Sequence, residues 1–460
     1  MKLGMIHVLR DRTWDHVTRR EEGRLRENVE LWRRLGELSR ERDELARENA
    51  ALCRQRDDLA RDNAELRQGL DAASAENAEL KRRVKLYTRH GFMHVLEKYR
   101  TAPGWILDPD DEDAPRTREA VRRVIEAYHR AMADFVPPGR GLWQGIEANA
   151  AKAAFFTALR QRDERTVGHW LTRMFRTDLI WGLGRVHESA PADICDDPRR
   201  SWYLAQITDT LLSLAQACGV RPVVSIQHQG FGAYQSQGDL DLHELMAEIE
   251  RRTGLDPSLP QVGAGYGCRV YGKLINPDSL LHTYTVHRLR QLGADPDARL
   301  AEIGGGYGCL AYLLHRAGLR NVEVFDLPWV NVLQGYFLIQ SLPPGSVRLY
   351  GEEQGDVRVT PYWHFTALPD RSVDYVVNTD SLPEMALEDR RAYLAHIART
   401  LGGCFLSINQ ESGVQIETYD PQSGVGPLAE QTGGLRLLSR HLWWMYQGYV
   451  EEVFGPDVRG

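Results

Sequence analysis

The sequence predicts an α/β domain with an open parallel sheet in its C-terminal part, preceded by a mostly helical region and an N-terminal coiled coil. Three observations carry this. Three short apolar runs, at residues 300–303, 321–326 and 372–378, each end in polar residues with helical patterns between them. The first runs into three glycines at alternate positions, Gly304, Gly306 and Gly308, and then an apolar helix pattern through Leu310, Leu313 and Leu314. Far upstream, leucine recurs at every seventh position from Leu31 to Leu66 and again at Leu80. Strand, tight turn and helix in that order give a crevice at the carboxyl ends of parallel strands, where open α/β sheets bind ligands.

At 460 residues the chain has room for two or three domains. Its net charge of −7 gives no basic excess of the kind that phosphate-backbone binding needs, so no nucleic-acid partner is expected. Six cysteines lie far apart with no C-x-x-C pair, which fits reduced, buried thiols and a cytoplasmic location better than disulfides or structural zinc. No apolar run is long enough to span a bilayer. The divisions expected are an N-terminal segment at 1–20, a coiled coil at 21–86, a mostly helical cap or substrate region at 87–290, and the ligand-binding α/β domain at 291–460.

In the segment 21–86, taking the recurrent leucines as d places Asn28, Asn49, Asn63 and Asn77 at a. That pattern specifies a parallel two-stranded coiled coil, so a homodimer is expected. Asp11, Asp15, Glu21 and Glu22 interrupt the arginines upstream, which argues against a DNA-binding basic zipper. Acidic and proline-rich residues at 108–115 read as a linker. Helical patterns follow around 121–132, 150–159, 167–175 and 203–217.

The stretch 221–234 is an apolar run that breaks into a polar, aromatic, glycine-bearing loop containing His228. Such a loop suits sugar binding as well as it suits a plain connection. Gly263, Gly265 and Gly267 nearly duplicate the key turn, but no strand or helix pattern is evident beside them, so they are rejected as a ligand loop. Asn276 and Pro277 then read as the cap of a helix leading into the sheet.

The dinucleotide fingerprint G-x-G-x-x-G fails at this turn, because Cys309 stands where the third glycine belongs. This disfavours a nicotinamide-dependent oxidoreductase. The pattern present is E-x-G-x-G-x-G, through Glu302, and it resembles motif I of class I S-adenosylmethionine-dependent methyltransferases. With Asp326-Leu327-Pro328 and the run from Asn378 through Asp380 and Ser381 to Glu384 and Met385, the chain resembles the sugar O-methyltransferases of bacterial polysaccharide and glycoconjugate clusters. The resemblance runs from about residue 276 to the carboxyl end.

It implies a Rossmann-like class I methyltransferase domain with S-adenosyl-L-methionine as cofactor and a sugar-containing acceptor: a glycan, a nucleotide-sugar or a glycosylated metabolite. It also implies that Gly304, Gly306 and Gly308 admit the methionine part, and that Glu302 supports the turn and the amino group. Asp326 then holds the ribose hydroxyls, Leu327 lies against adenine and Asn378 faces the cofactor. A sugar hydroxyl is a weak acid and needs a base, for which Asp380, Glu384 and His228 are the candidates. The alternative role for Asp380 is as a helix cap, with Glu384 in the first turn of that helix. His364 and His441 sit beside Trp363, Trp443 and Trp444, whose faces suit sugar rings, although such aromatics are more often core. No three-ligand spacing points to a metal. A non-catalytic scaffold hung on the coiled coil, and an O-methyltransferase for a non-sugar molecule, are the competing readings.

Overall fold

A computed structural model describes residues 102–138, 149–180, 182–183, 199–223, 241–411, 424–446 and 448–457, together with position 34. The chain divides into two compact units, Met1–His90 and Gly91–Gly460. Apart from position 34, the predicted coiled coil lies outside the described residues, as does the His228 loop beyond Val223. The boundary expected at 290/291 falls at the end of a helix within the second unit.

In chain order this unit contains β1 (Gly104–Ile106), α1 (Pro115–Ala133), α2 (Ala153–Gln161), α3 (Glu164–Leu171), α4 (Arg199–Ala217) and α5 (Leu242–Thr253). Next come β2 (Tyr266–Val270), β3 (Lys273–Ile275), α6 (Pro277–Gln291), β4 (Leu300–Ile303), α7 (Cys309–Arg316), β5 (Val322–Asp326) and α8 (Pro328–Ser341). The remainder is β6 (Val347–Leu349), β7 (Val357–Pro361), β8 (Val373–Thr379), α9 (Leu387–Thr400), β9 (Leu401–Gln410), α10 (Val425–Thr432), β10 (Leu435–Leu442) and β11 (Tyr449–Pro456).

Eight strands form one sheet in the order β10-β11-β9-β8-β4-β5-β7-β6. All neighbours from β9 to β6 pair in parallel, and the β10–β11 hairpin adds antiparallel to β9. The chain moves outward from β4 through β5, then returns to the other flank of β4 as β8. The seam between β4 and β8 is therefore the topological switch point of a Rossmann-like fold.

Both faces of the sheet are covered, as parallel strands require. Leu300, Val322 and Val324 face a core that includes Leu310 of α7, Leu333 and Leu338 of α8, and Val121 and Val124 of α1. The alternate residues Ala301, Ile303 and Phe325 face a second core with Leu394 and Ile397 of α9 and Leu428 of α10. The alternation with period two is why these runs read as strands buried on both sides.

The helical region expected before the sheet is present, with one correction. It holds a small antiparallel sheet, β1-β2-β3, and β2 begins at Tyr266, within the duplicate glycine stretch where no strand was expected. The pairing partner that makes Gly267 and Cys268 a strand is Trp105 and Gly104, far away in sequence. Helix α6 starts as read, with a capping box in which Asn276 and Ser279 satisfy each other's backbone N–H.

The helical region is tied to α8 by Tyr336, whose hydroxyl donates to Asp110 Oδ2 at 2.5 Å, while Gly263 N–H donates to the same carboxylate at 3.0 Å. Burial raises the pKa of Asp110 against those two hydrogen bonds. Tyr336→Phe removes one donor from a partly buried acid. We expect a loss of about 1–3 kcal/mol in urea-monitored unfolding. A change below about 0.5 kcal/mol would show that the contact is dispensable.

Candidate active site

The carboxyl ends of β4, β5 and β8 open into a cavity of about 320 Å³. Its floor is the turn after β4. Gly304 and Gly306 have φ of +69° and +54°, a region that side chains other than glycine rarely adopt. Neither has room for a Cβ: at Gly304 it would strike Ser381 Oγ, and at Gly306 it would lie 2.5 Å from Leu183 O. Both glycines line the cavity, so backbone alone approaches whatever sits there. Gly308 does not line it. It is the N-cap of α7 and packs beside Leu338.

Glu302 lines the cavity at 5% exposure, and its Oε2 has no hydrogen-bond partner among the described residues. Burial, and then the neighbouring charge of Asp326, push its pKa up to about 8. Asp326 also lines the cavity and accepts hydrogen bonds from Leu327 N–H and Gln334 Nε2, each at 2.8 Å. Burial pushes its pKa up to about 7, opposed by those hydrogen bonds and by one from the Gly305 backbone. The two acids sit on paired strands, with Ile303 opposite Phe325. Two such carboxylates, held close and largely out of water, favour a ligand bearing positive charge or hydroxyl donors.

Gln334 escaped sequence reasoning. Fully buried in α8, it donates to Asp326 Oδ2 and to Gly306 O at 3.0 Å, so one amide holds the second acid and the glycine turn together. Its signal was a polar side chain, with Asn331 nearby, in the otherwise apolar run of α8.

Asp380, Ser381 and Glu384, just beyond β8, also line the cavity. Asp380 has φ of +59° and accepts from Tyr449 Oη at 2.7 Å. It does not cap the short helix Leu382–Glu384, whose N-cap is Ser381 with no side-chain cap bond. Ser381 Oγ donates to Ile303 O at 3.1 Å and fills the space above Gly304. The expectation for Asn378 is corrected. Fully buried, it turns away from the cavity, donating to Ile303 O at 2.9 Å and to Ser381 Oγ, and accepting from Asn409 Nδ2 at 2.9 Å. It braces the strand ends.

From the helical region come Asp278 and His282, four residues apart on α6, with Leu183 and Pro138. Tyr307 Oη donates to Asp278 Oδ2 at 3.3 Å. Asp278 and His282 were missed because their spacing marks a helix face, and only the packing of α6 in the fold turns that face to the cavity. Leu327 is among the residues that line the cavity. His364 instead pairs with Tyr350 Oη at 3.0 Å, His441 lies exposed on β10, and Trp443 and Trp444 pack on Tyr284. None of these four is among the lining residues.

No family model matches this chain, and no curated protein does. Solved structures do. The geranyl diphosphate C-methyltransferase of Streptomyces coelicolor A3(2), solved with Mg2+, geranyl-S-thiolodiphosphate and S-adenosyl-L-homocysteine, is 15% identical over 39% of this chain and 77% of its own, with a TM-score of 0.30. The Haemonchus contortus phosphoethanolamine N-methyltransferase 2, in complex with phosphomonomethylethanolamine and S-adenosylhomocysteine, is 16% identical over 33% of this chain and 36% of its own, at 0.26. An arsenic(III) S-adenosylmethionine methyltransferase from Chlamydomonas reinhardtii is 15% identical over 35% and 64%, also at 0.26.

Proposed function

We propose that this chain is an S-adenosylmethionine-dependent methyltransferase acting on a hydroxyl of a sugar. One observation carries the cofactor reading. A buried, hydrogen-bond-orphaned carboxylate oxygen at Glu302 stands over a turn whose Gly304 and Gly306 leave no room for side chains. The amino group of a methionine moiety is a donor that satisfies that oxygen, and the bare backbone admits it. The sugar preference is carried by the sequence resemblance alone.

In this reading Asp326 would accept from the ribose hydroxyls and Leu327 would lie against adenine. Gln334 holds Asp326 and Gly306 in register for both. Asn378 acts at one remove, by fixing Ser381 over Gly304. When bound, the cofactor supplies an electrophilic methyl group: the acceptor oxygen bonds to carbon as the C–S bond breaks, and that bond's electron pair stays on sulfur. The protein's own part is alignment and the proton. Asp380 or Glu384, both in the cavity lining just beyond β8, takes the hydroxyl proton as the new bond forms. Residues 21–86 would pair two such chains as a parallel dimer.

Calorimetric titration with S-adenosylhomocysteine, with NADH as control, tests the reading. We expect binding of the former only. Once an acceptor is found, Asp380→Asn or Glu384→Gln should lower kcat about 100-fold or more with S-adenosylhomocysteine affinity retained. Binding of neither compound by the folded protein would leave the scaffold reading standing.

A further inference from the structure

Of the two acids just beyond β8, Asp380 is the one that the fold holds in a costly conformation. Five residues other than glycine have positive φ among the described residues: Arg162, Ala264, Tyr271, Arg371 and Asp380. Asp380 alone of them lines the cavity. Its φ of +59° lies in the left-handed region, which aspartate enters more readily than most side chains but still against a steric penalty. Residues in such conformations persist where their surroundings over-determine them, and they cluster at working sites. Glu384 ends the short helix Leu382–Glu384 and has no positive φ.

Two other strands over-determine Asp380. Its N–H donates to Ile408 O of β9 at 3.0 Å, one residue beyond the end of β8. Its carboxylate accepts from Tyr449 Oη at 2.7 Å. Tyr449 opens β11, which β9 separates from β8, so the phenol reaches across the end of β9, where Gln410 pairs with it. Strand β11 is itself anchored: Glu451 accepts from Tyr284 Oη and Arg288 Nε of α6, each at 2.6 Å. Tyr449 is not among the lining residues, so its effect on a ligand passes through Asp380. A carboxylate has about four acceptor sites on its two oxygens, and one bond from a phenol leaves capacity for a substrate hydroxyl. That bond also favours the ionised form, which a base must have.

We propose that Asp380 is the base and that Tyr449 is its positioning residue, the phenol of the β10–β11 hairpin fixing the orientation of the carboxylate toward the acceptor hydroxyl. The proposal rests on the methyltransferase reading and narrows it. As the acceptor oxygen bonds to the methyl carbon, the C–S bond breaks with its electron pair left on sulfur. The hydroxyl proton passes to Asp380, which then yields it to water, and the phenol keeps its own proton throughout.

The test uses the full chain, isotope-labelled at the aspartate carboxyl carbons and saturated with S-adenosylhomocysteine. The Asp380 resonance is the one absent from Asp380→Asn, and its pH titration needs no acceptor. Tyr449→Phe should raise the Asp380 midpoint by about one unit, because a hydrogen bond to the ionised form is lost. Tyr284→Phe loosens the same strand at Glu451 without touching Asp380, and should leave that midpoint where it is. Every other titratable group of the lining is common to both variants, so the difference isolates the phenol. For any monosaccharide that is methylated, Tyr449→Phe should lower kcat about tenfold at pH 7, with KM and S-adenosylhomocysteine affinity changed less than about twofold. The acidic limb of its pH–rate profile should move up by the same unit as the titration. An unmoved Asp380 midpoint in Tyr449→Phe, or equal shifts in both variants, would overturn the proposal. So would a kcat loss of the same size in Tyr284→Phe. Failure of the wild type to bind S-adenosylhomocysteine would overturn the methyltransferase reading itself, and the saturation step reveals it before the titration, so the two failures are told apart.

Discussion

Gly306→Val should abolish S-adenosylhomocysteine binding, lowering affinity by at least about 100-fold, or roughly 2.7 kcal/mol, while the protein remains folded. Two effects add at that position. Its φ of +54° is one that a β-branched residue adopts only with strain, on the order of 1–3 kcal/mol. Its Cβ would also lie 2.5 Å from the backbone oxygen of Leu183, which is no flexible side-chain end that can swing aside. Relief must come from the turn itself, and moving it disturbs Gly306 O, which Gln334 grips together with Asp326. The whole floor of the cavity shifts as one piece. Gly318→Ala is the control. That glycine has φ of +85° with nothing within 4 Å of the added carbon, so the variant carries backbone strain alone. It should lose about 1 kcal/mol of stability and none of the affinity. Retained affinity in a folded Gly306→Val protein would remove this turn from the cofactor site.

The division between what the sequence tells and what it hides follows from the range of the interactions. Strands β4, β5 and β8 are legible because each is a short, mainly apolar run with a polar residue at or just before its carboxyl end. The glycine turn and the acids at Glu302 and Asp326 are legible because their placement follows from position along the chain, at the ends of β4 and β5. Strand β2 was hidden, since Tyr266-Gly267-Cys268 becomes a strand only against residues 104–106. Gly267 there serves packing: a Cβ would collide with the backbone oxygen of Ile275.

Asn378 shows the limit within the site. Its place at the end of β8 was read correctly, but its direction is set by Asn409 of the adjoining β9, which takes the amide oxygen and turns the side chain inward. Asp278 and His282 were equally out of reach, because a spacing of four says which face they share and not what that face meets. The acid-rich character of the cavity is thus a property of assembly, brought together from α6, β4, β5, the turn after β8, and α9.

Glu302→Gln should have effects of opposite sign on stability and on binding. In the free protein, burial and then Asp326 hold the Glu302 pKa near 8, against an ordinary value of 4.5. The folded state therefore keeps a proton that the unfolded state has released between those pH values. By linkage, stability is full below about pH 4.5, falls as pH rises toward 8, and is flat beyond. Asp326, raised from 3.8 to about 7, adds a loss of the same sign over a lower window. The amide of the variant never ionises. Its unfolding free energy should match the wild type near pH 4 and exceed it increasingly as pH rises toward 8, by a margin on the order of a few kcal/mol. Binding should go the other way. A bound ammonium draws the proton off Glu302, so the wild type should release protons on taking up S-adenosylhomocysteine at pH 7. The release is measured as a calorimetric enthalpy that differs between phosphate and Tris buffers in proportion to their ionisation heats. The variant should lose most of that buffer dependence and about 100-fold in affinity, because the carboxylate that meets the amino group has gone. A wild type that binds with no proton release, together with a variant that binds as tightly, would place the amino group elsewhere and leave Glu302 as a support of the turn alone.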